Sequence, residues 1–401
     1  MWEAQLLKEV SVCTAPGEIL FGTAIGYVSR FSKLIEPSNL RLFFDATNFF
    51  ADLNEDLSED LSFLRVLGSA LSGANAGTPQ VRSDGIFPPF RARPVPGLKG
   101  KRIGLIVSGG SGATASLCGI RRAFEEAGAD IAAISACSGG VLFASLWACG
   151  LSAEDMASFW LSLRGDQYLD PGWWELGRAA AGRFSHFGGL LRGAAVERTF
   201  RRRLHGLKLG QTKIPLYIVV WNIDQNRVEY VDTKNTPRLS IARAARIAIS
   251  IPLFVEPVRY RGHFYGDGGV VSIFPARPLI EFEEPLDLVI GVNCYYRENF
   301  IGHDVTGWRN RPWAIMRASG QLRSAIHLEL AREQMRLLGP RLKMLHPVPH
   351  TEVRGTKFYE SFLDRSRWPA YMRQGYHAAR RLLGTFAEKR GGTVPHDKHA
   401  A

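Results

Sequence analysis

Two strand–turn–helix patterns in succession, between residues 102 and 150, constrain the fold more than any other feature of the sequence. Arg102–Val107 (RIGLIV) and Asp130–Ser135 (DIAAIS) are short apolar runs that predict buried strands. Each run leads through a turn of small residues into a helical stretch, and these stretches end at Gly128 and Gly150, a residue type that favours helix C-caps. The alternation predicts an α/β fold with a central, mostly parallel sheet flanked by helices.

The pattern continues less regularly towards the C-terminus. Apolar or alternating runs predict more strands, and Arg261–Gly262 is expected to form the turn of a small hairpin. Residues 151–210 and the chain from Arg311 onward are expected to be mostly helical. The additional predicted strands are Leu216–Asn222, Val228–Asp232, Val258–Tyr260, His263–Tyr265 and Leu286–Asn293.

Residues 1–95 differ from the rest of the chain in charge and in pattern. Residues 1–60 carry a net charge of −6, whereas the remainder of the chain carries +18. Helical periodicity, followed by a Gly-, Pro- and Ser-rich stretch from Ser72 to Pro96, predicts a helical N-terminal extension and a linker. We expect an α/β core over residues 96–300 and a mostly helical part of the same domain over residues 301–401.

The composition is that of a globular protein with a basic surface. Hydrophobic residues make up 46% and charged residues 22% of the 401 residues, which excludes wholesale disorder. The net charge of +12 favours anionic partners, among them lipid headgroups. No recognisable nucleic-acid-binding module accompanies this charge, so no nucleic-acid partner is expected. The oligomeric state is not determined by the sequence.

The cysteines and the N-terminal residues favour a reducing compartment. The five cysteines are too scattered for a disulfide framework or a zinc site, and we expect neither a metal nor a cofactor. The first residues lack the features of a signal peptide, and no run reaches the roughly 18 apolar residues of a membrane span. The expected location is cytoplasmic, with peripheral membrane association as an open alternative. The cysteines are Cys13, Cys118, Cys137, Cys149 and Cys294.

Two basic helical stretches are relevant to peripheral membrane association. Arg178–Lys208 interleaves eight basic residues with phenylalanines, and Trp368–Phe386 places apolar residues at helical spacing beside arginines. Such helices can lie on anionic membranes. The favoured interpretation is that their apolar stripes face the core and their arginines face solvent.

The second of the two small-residue turns, Ala136–Gly140 (ACSGG), has the context of a nucleophile elbow. A sharp turn between a strand and a helix exposes a serine hydroxyl, small neighbours avoid a clash, and the helix N-terminus favours developing negative charge. The pattern G-x-S-x-G is met around Ser138, except that Ala136 replaces the first glycine. Because small-residue turns are common in α/β proteins, this motif predicts a nucleophile only together with other features.

An aspartate among glycines follows the predicted strand His263–Tyr265. In Gly266–Gly269 (GDGG) the glycines allow a tight turn and the close approach of another element. A carboxylate at Asp267 can accept the proton of a serine hydroxyl that lies within hydrogen-bond reach. An ordinary Asp-Gly turn is the alternative interpretation.

The first of the two small-residue turns, Ser108–Gly112 (SGGSG), presents backbone amides just before a helix. Such a loop can bind an anion, either the oxyanion of an acyl transfer or a phosphate. Residues 110–115 also fit G-x-G-x-x-A, a dinucleotide-site pattern. That function requires an acidic residue at the end of the second strand, where Ser135, Ala136 and Cys137 stand instead, so the nucleotide interpretation is disfavoured.

Together these features resemble the patatin-like phospholipase family. The resemblance covers residues 101–290 and includes, in order, a glycine loop, a helix, a strand, a serine elbow and an Asp-Gly-Gly block. The other segments that are similar to the family are Gly119-Ile120, Glu126–Gly128, Ser145–Gly150, Arg246–Pro252, Gly262, Tyr265–Val271 and Phe274-Pro275.

The resemblance implies a three-layer patatin-like fold in which residues 96–300 are the catalytic core. It implies hydrolysis of fatty acyl esters of lipids through an acyl-serine intermediate, by a serine–aspartate dyad without histidine. The substrate would be a lipid or another acyl ester, and no cofactor is implied. The site residues that it implies are the catalytic Ser138 and Asp267 and, for the oxyanion hole, the amides of Gly109, Gly110 and Ser111.

Two residues of the glycine loop depart from the family pattern. Ser111 stands at the third glycine position, and Ala113 replaces the basic residue that usually follows two positions later. Ser111 still supplies a backbone amide, provided that its conformation does not require a positive φ. Loss of the basic side chain bears on the loop geometry and on headgroup preference.

Two other functions stay open at this point. In a Ser-His-Asp hydrolase a histidine would follow Asp267, but none of the candidate histidines beyond it stands in a glycine-rich loop just after an apolar strand. A non-catalytic lipid- or partner-binding protein on the same scaffold would account for the altered loop. Both chemically necessary side chains are present, each in a suitable turn, which favours the hydrolase. The candidate histidines are His303, His327, His346, His350 and His377.

Overall fold

An eight-stranded sheet forms the centre of the protein in a computed structural model that describes residues 85–172, 188–296, 314–353 and 356–388. Its strand order is β10-β9-β1-β2-β4-β8-β7, with β5 also paired to β4, while β3 and β6 form a separate pair. The predicted extension up to residue 84 lies outside the described residues. The strands are β1 (Ile103–Val107), β2 (Ile131–Ala136), β3 (Gly189–Leu191), β4 (Leu216–Asn222), β5 (Arg227–Asp232), β6 (Leu253–Val255), β7 (Val258–Tyr260), β8 (His263–Asp267), β9 (Leu288–Val292) and β10 (Leu342–Leu345).

Helices cover the sheet and connect its strands. The helices of the described residues are α1 (Ser116–Ala127), α2 (Gly139–Ala148), α3 (Ala153–Ser162), α4 (Ala194–Arg203), α5 (Ile241–Ala248), α6 (Arg277–Ile280), α7 (Ala314–Leu338), α8 (Thr356–Leu363) and α9 (Trp368–Glu388).

The pairing of the strands confirms the prediction of a mostly parallel sheet. Strands β10, β9, β1, β2 and β4 are paired in parallel, in that order. Strands β5 and β8 run antiparallel to β4, and β7 runs antiparallel to β8. Since the ends of parallel strands meet at one edge of a sheet, the loops after β1 and β2 lie side by side there.

Both faces of the sheet are covered, which gives the expected three-layer arrangement. Leu105 and Val107 of β1 belong to a core with α1, α2 and α9, whereas Ile106 belongs to a second core with side chains of α6 and α7. Residues in a strand alternate between faces, so a strand that is covered on both sides must be apolar throughout. This explains the uninterrupted run IGLIV, all of which is buried.

Helix α9 packs against α1 through glycines that bring the two backbones into contact. A Cβ atom at Gly119 would lie 1.8 Å from the carbonyl oxygen of Met372, and one at Gly375 would lie 2.1 Å from that of Ser116. The stripe of α9 is buried, as the favoured interpretation of Trp368–Phe386 predicted. The residues of the stripe are Met372, Tyr376, Ala379 and Leu383, which are buried, and Phe386, which is half-buried. Residues 178–187 of the other basic stretch lie outside the described residues.

Two segments that were expected to be helical contain strands. Strand β3, within residues 151–210, pairs in parallel with β6, and β10 extends the parallel sheet beyond β9. The prediction of mostly helical structure was wrong for these residues, because strands of three and four residues are too short for their periodicity to identify them. Their pairing partners are distant in the sequence, and only the tertiary structure brings them together.

The described end of the predicted linker lies against the core. The amides of Arg93 and Val95 donate to the carbonyl oxygens of Glu126 and Ala127 at the end of α1, at 2.6 and 3.1 Å. Val95 and Leu98 are buried. The domain boundaries stay predictions.

The four cysteines within the described residues are buried free thiols. Among the helices of the described residues, none has the length and apolar character of a membrane span.

Candidate active site

Ser138 occupies a sharp turn between β2 and α2. Its backbone has a φ of 49° and a ψ of −133°, a region that residues other than glycine rarely adopt. The Cys137 amide donates to Val107 at the end of β1, and the amides of Gly140 and Val141 donate back to Cys137 and Ser138 as the helix begins. Strand, turn and helix thus fix the position of the serine side chain, as in a nucleophile elbow.

The small residues around Ser138 make room for the neighbouring glycine loop. A Cβ atom at Gly139 would lie 2.2 Å from the carbonyl oxygen of Gly110, and one at Gly140 would lie 2.6 Å from that of Ser108. Ala136, in contrast, is a buried residue of β2 that pairs with Val107. Because it has an ordinary strand position, alanine suffices where the general motif has glycine.

Asp267 is the last residue of β8 and pairs with Val220 of β4. Its amide donates to the carbonyl oxygen of Ser250, just beyond α5, at 2.9 Å. The next residue, Gly268, lies so close to the backbone of Val219 that a Cβ atom there would be 2.6 Å from it. The absence of a side chain at Gly268 therefore allows Asp267 to lie close to β4, the strand that is paired with β2.

The structure brings Ser138 and Asp267 together, although 129 positions separate them in the sequence. The Ser138 hydroxyl donates to Oδ2 of Asp267 at 2.5 Å. The other carboxylate oxygen, Oδ1, accepts from the amide of Gly269 at 2.7 Å. Both carboxylate oxygens are thus held by hydrogen bonds, one of which orients the serine hydroxyl.

Burial makes this carboxylate more basic than an exposed one. Only 2% of Asp267 is exposed. Burial raises the pKa of Asp267 from 3.8 to about 7, while the hydrogen bonds from Ser138 and Gly269 lower it in part. A carboxylate with a pKa near neutrality is suited to accept and return a proton.

The amides of the glycine loop are not equivalent. The amide of Gly109 donates to the carbonyl oxygen of Ile273 at 2.9 Å, so it is engaged in this structure. Within the described part of the chain, the amides of Gly110 and Ser111 donate to no backbone acceptor outside the regular elements. An anion next to Ser138 would therefore find donors in Gly110 and Ser111, whereas donation by Gly109 requires its present hydrogen bond to open.

The departures of this loop from the family pattern have a local explanation. Ser111 has a φ of −96°, so its position does not demand glycine. Its hydroxyl is 2.5 Å from that of Ser361, and its carbonyl oxygen accepts from Thr114. Ala113 is buried, where a basic side chain would lose its hydration. The loop is held by packing and hydroxyl contacts.

Gly139 is a further donor candidate that the sequence reasoning missed. Its amide has no acceptor among the described residues outside helix α2, and it follows the serine directly. In nucleophile elbows the amide after the serine commonly contributes to the oxyanion hole. The position of Gly139 in the motif could have identified it without a structure.

The histidines that a Ser-His-Asp triad would need make other contacts. The ring of His327 contacts the carbonyl oxygen of Val270, and that of His346 contacts the amide side chain of Asn293. His377 is exposed and stacks edge-on to Tyr376. No histidine of the described residues hydrogen-bonds to Ser138 or Asp267; of the histidines beyond Asp267, His303, His396 and His399 lie outside them. Nor do the described residues include a cluster of three or more potential metal ligands.

The sequence of this region matches a known family. Residues 105–280 match the family model of patatin-like phospholipases. An uncharacterized protein of Acanthamoeba polyphaga mimivirus is 26% identical over 171 residues, which are 41% of this chain and 54% of that protein. A protein named "Probable lipid hydrolase", from Invertebrate iridescent virus 6, is 26% identical over 99 residues, 25% of this chain and 33% of that protein. The chain thus spans about half or less of these relatives.

Two solved structures are similar to this chain at low sequence identity. VipD from Legionella pneumophila is 15% identical, with a TM-score of 0.44 over 71% of this chain and 67% of that one. ExoU in its heterodimeric complex with SpcU, from Pseudomonas aeruginosa, is 18% identical, with a TM-score of 0.36 over 75% of this chain and 52% of that one. The match to the patatin-like phospholipase model spans the glycine loop, the serine elbow and the Asp-Gly-Gly block, so these residues are similar to that family over 105–280.

Proposed function

We propose that this protein is a serine lipid acyl hydrolase in which Ser138 is the nucleophile and Asp267 its base. The observation that carries the proposal is the 2.5 Å hydrogen bond from the Ser138 hydroxyl to a buried carboxylate, at a strand-to-helix turn. The family match and the viral relative named as a lipid hydrolase support a lipid ester as substrate. A fatty acyl ester of the phospholipid type is the substrate class that we infer.

In the first half of the reaction Oγ of Ser138 attacks the carbonyl carbon of the ester. Asp267 accepts the hydroxyl proton as the new C–O bond forms, which requires its carboxylate to be ionised. The tetrahedral intermediate then collapses, and the alcohol leaves with the proton that Asp267 returns. The product is an acyl ester on Ser138.

The negative charge of the intermediate is stabilised by backbone amides. Those of Gly110 and Ser111 lie in the loop that contacts the serine elbow, and that of Gly139 opens helix α2, whose N-terminus adds a favourable dipole. The amide of Gly109 joins them if its hydrogen bond to Ile273 opens when substrate binds. Each such donor typically contributes about 3 kcal/mol to stabilisation of the transition state.

In the second half of the reaction water replaces the alcohol. Asp267 takes a proton from water, the resulting hydroxide attacks the acyl carbonyl, and the proton returns to Oγ of Ser138 as the fatty acid leaves. One carboxylate thus serves as base and acid in turn, for which a pKa of about 7 is suitable. Acyl transfer to another acceptor would share the same intermediate.

The decisive experiment combines a covalent probe with turnover. Wild-type protein should be labelled by a fluorophosphonate and should hydrolyse p-nitrophenyl esters and phospholipid vesicles, whereas Ser138→Ala should do neither. Asp267→Asn should lower kcat by at least about a thousandfold, since the hydroxyl loses its base.

Two matched variants control for nonspecific damage. Ser145→Ala removes a buried hydroxyl of the same helix α2 that has no hydrogen-bond partner among the described residues. Asp130→Asn removes an exposed carboxylate just before β2. Both should keep wild-type activity. Unreduced hydrolysis in Ser138→Ala would overturn the assignment, and labelling without turnover on any ester would favour the non-catalytic binding protein.

A further inference from the structure

A basic hollow lies on the surface formed by α4, the start of α5 and the β7–β8 hairpin. Its volume is about 560 Å³. Four guanidinium groups line it against a single carboxylate, together with the ring of Tyr260. The arginines come from separate parts of the sequence and are Arg201, Arg238, Arg243 and Arg261.

The single carboxylate is used to hold arginines in place. Glu197 of α4 is 8% exposed at its side chain, and its two oxygens accept from Arg201 at 2.7 Å, from Arg243 at 3.2 Å and from Arg246 at 3.4 Å. One negative charge is therefore shared among three guanidinium groups. The arrangement leaves an excess of positive charge and of N–H donors directed around the hollow.

Arg243 shows how the arginines of the hollow are fixed. It lies in the first turn of α5, with its side chain two-thirds covered, and it donates both to Glu197 and to the carbonyl oxygen of Arg259 on β7. These bonds fix the guanidinium between α4, α5 and the hairpin. A positioned arginine loses less conformational entropy on binding than a free surface arginine would.

Two other arginines of the hollow form no ion pair within the described residues. Arg238 and Arg261 are exposed, and neither guanidinium has a hydrogen-bond acceptor or a carboxylate partner within the described part of the protein. The guanidinium of Arg261 lies 5.3 Å from the centre of the Tyr260 ring. Both groups can turn towards a ligand without breaking an existing ion pair.

Arg261 also occupies a backbone position that does not suit it. It is the first residue of the two-residue hairpin turn, where Tyr260 pairs with His263, and its φ is 49°, followed by 87° at Gly262. Such turns favour asparagine or aspartate before glycine, and arginine there reduces stability. A residue in an unfavourable backbone conformation points to a function of its side chain.

We propose that this hollow binds a phosphate ester through Arg238, Arg243 and Arg261. Guanidinium groups bind phosphate oxygens through paired N–H donors, and several of them around one hollow can bind a dianion. The volume lies in the range of small-molecule sites and exceeds the size of a bare phosphate ion, which leaves space for the organic part of the ester beside Tyr260. The ester is either a soluble phosphate monoester or the headgroup of an anionic phospholipid.

The test measures binding by the full chain carrying Ser138→Ala, so that no ester is consumed and the result does not depend on the proposed catalysis. Isothermal titration with glycerol 3-phosphate represents the soluble source. Flotation with phosphatidylcholine vesicles, with and without phosphatidic acid, represents the headgroup. We expect saturable binding in at least one of these two experiments at moderate salt.

Two substitutions in this background separate the hollow from general charge. Arg261→Asn introduces the residue that the turn favours, so thermal stability should be kept or increased while affinity falls about tenfold, the loss expected for one charge-assisted hydrogen bond. Arg238→Gln should weaken binding to a similar degree. Arg277→Gln removes the same charge from an exposed arginine of α6 outside the hollow and should bind like the parent.

Each outcome either supports or overturns the proposed phosphate site. The site is supported if Arg261→Asn and Arg238→Gln weaken binding to glycerol 3-phosphate or to the vesicles while Arg277→Gln binds like the parent. The probe that binds then identifies whether the ligand is a soluble phosphate ester or a lipid headgroup. Absence of binding to both probes overturns it. Equal weakening in all three variants also overturns it, because the binding would then reflect overall charge.

Discussion

Two turns of small residues follow neighbouring parallel strands, yet they are built on different principles. After β2 the chain turns at Ser138 with a positive φ, and the residue offers its side chain. After β1, residues 108–112 make their turn without any positive φ, and they offer backbone amides. Glycines of this loop are required by contacts: a Cβ atom at Gly109 would lie 2.3 Å from the side chain of Ile273.

The elbow supplies the nucleophile and the loop supplies hydrogen-bond donors, and the two turns are stabilised in different ways. The elbow concentrates unfavourable backbone conformation at one residue, and the hydrogen bond to Asp267 gives that residue its direction. The loop relies on close packing, with the carbonyl oxygen of Gly110 set directly against Gly139. Substitutions should therefore act through steric contact in the loop and through backbone conformation or charge in the elbow and its partner.

Among substitutions that test the packing between the two turns, the largest effect is expected from Gly139→Ala, which forces the turns apart. The added methyl would lie 2.2 Å from the carbonyl oxygen of Gly110. The amides of the glycine loop and Oγ of Ser138 could then no longer be directed at the same ester carbonyl group. We expect kcat for p-nitrophenyl esters to fall about a hundredfold to a thousandfold, the loss typical of one misplaced oxyanion donor. Gly384→Ala in α9, where a methyl meets nothing within 4 Å, is the matched control and should be fully active. An active Gly139→Ala would show that the contact between the turns is unimportant.

Asp267→Asn should lower the rate of hydrolysis and raise the free energy of unfolding at neutral pH. Because burial raises the pKa of Asp267 from 3.8 to about 7, the folded protein binds this proton more tightly than the unfolded chain. The stability associated with the protonated carboxyl is complete below pH 3.8 and is lost as pH rises to about 7. The neutral amide avoids that loss, which is on the order of 4 kcal/mol. Urea unfolding from pH 4 to pH 8 should show the advantage of the variant growing over this interval; an unchanged difference at all pH values would contradict the buried-carboxylate argument.

The same pKa sets the pH dependence of hydrolysis. The base must be ionised, so kcat/KM should rise tenfold per pH unit up to about 7 and level off above it. At pH 5 the rate should be about a hundredfold below the plateau. Stopped assays with p-nitrophenyl esters between pH 4.5 and 8.5 measure this profile. A midpoint near 4 would mean that Asp267 is not the group that limits the rate.

The smallest effect concerns the backbone of the elbow. Ser138→Ala and Ser138→Gly both remove the hydroxyl, but only glycine adopts a φ of 49° and a ψ of −133° without cost. The glycine variant should be more stable than the alanine variant by about 1 kcal/mol in chemical denaturation. At Ser145, inside helix α2, the order should reverse by about the same amount. If both positions favour alanine, the elbow is not under backbone strain.

Much of the fold was evident from local patterns. The runs of β1 and β2 are apolar because both faces of the sheet are covered, and the following small-residue turns were recognisable beside them. The stripe of α9 was predicted for the same reason, since its spacing matches a helix with one buried face. Strands β3 and β10 were missed because their short segments carry too little periodicity.

The candidate site was predictable in part. Ser138 and Asp267 stood out because each needs small neighbours, and small neighbours are visible in a sequence. The engagement of the Gly109 amide with Ile273 was not predictable, since it depends on the path of a loop 164 positions further along the chain. Gly139 was overlooked although its position directly after the serine indicated it.

The sequence by itself determined the parallel sheet, the elbow and the aspartate turn, because periodicity and residue size act locally. Three properties required the folded chain: Ser138 lies within hydrogen-bond distance of Asp267, burial raises the pKa of that carboxylate, and arginines from separate segments line one hollow. These properties depend on distances between distant segments and on the exclusion of water. Both arise when the sheet pairs and its faces are covered.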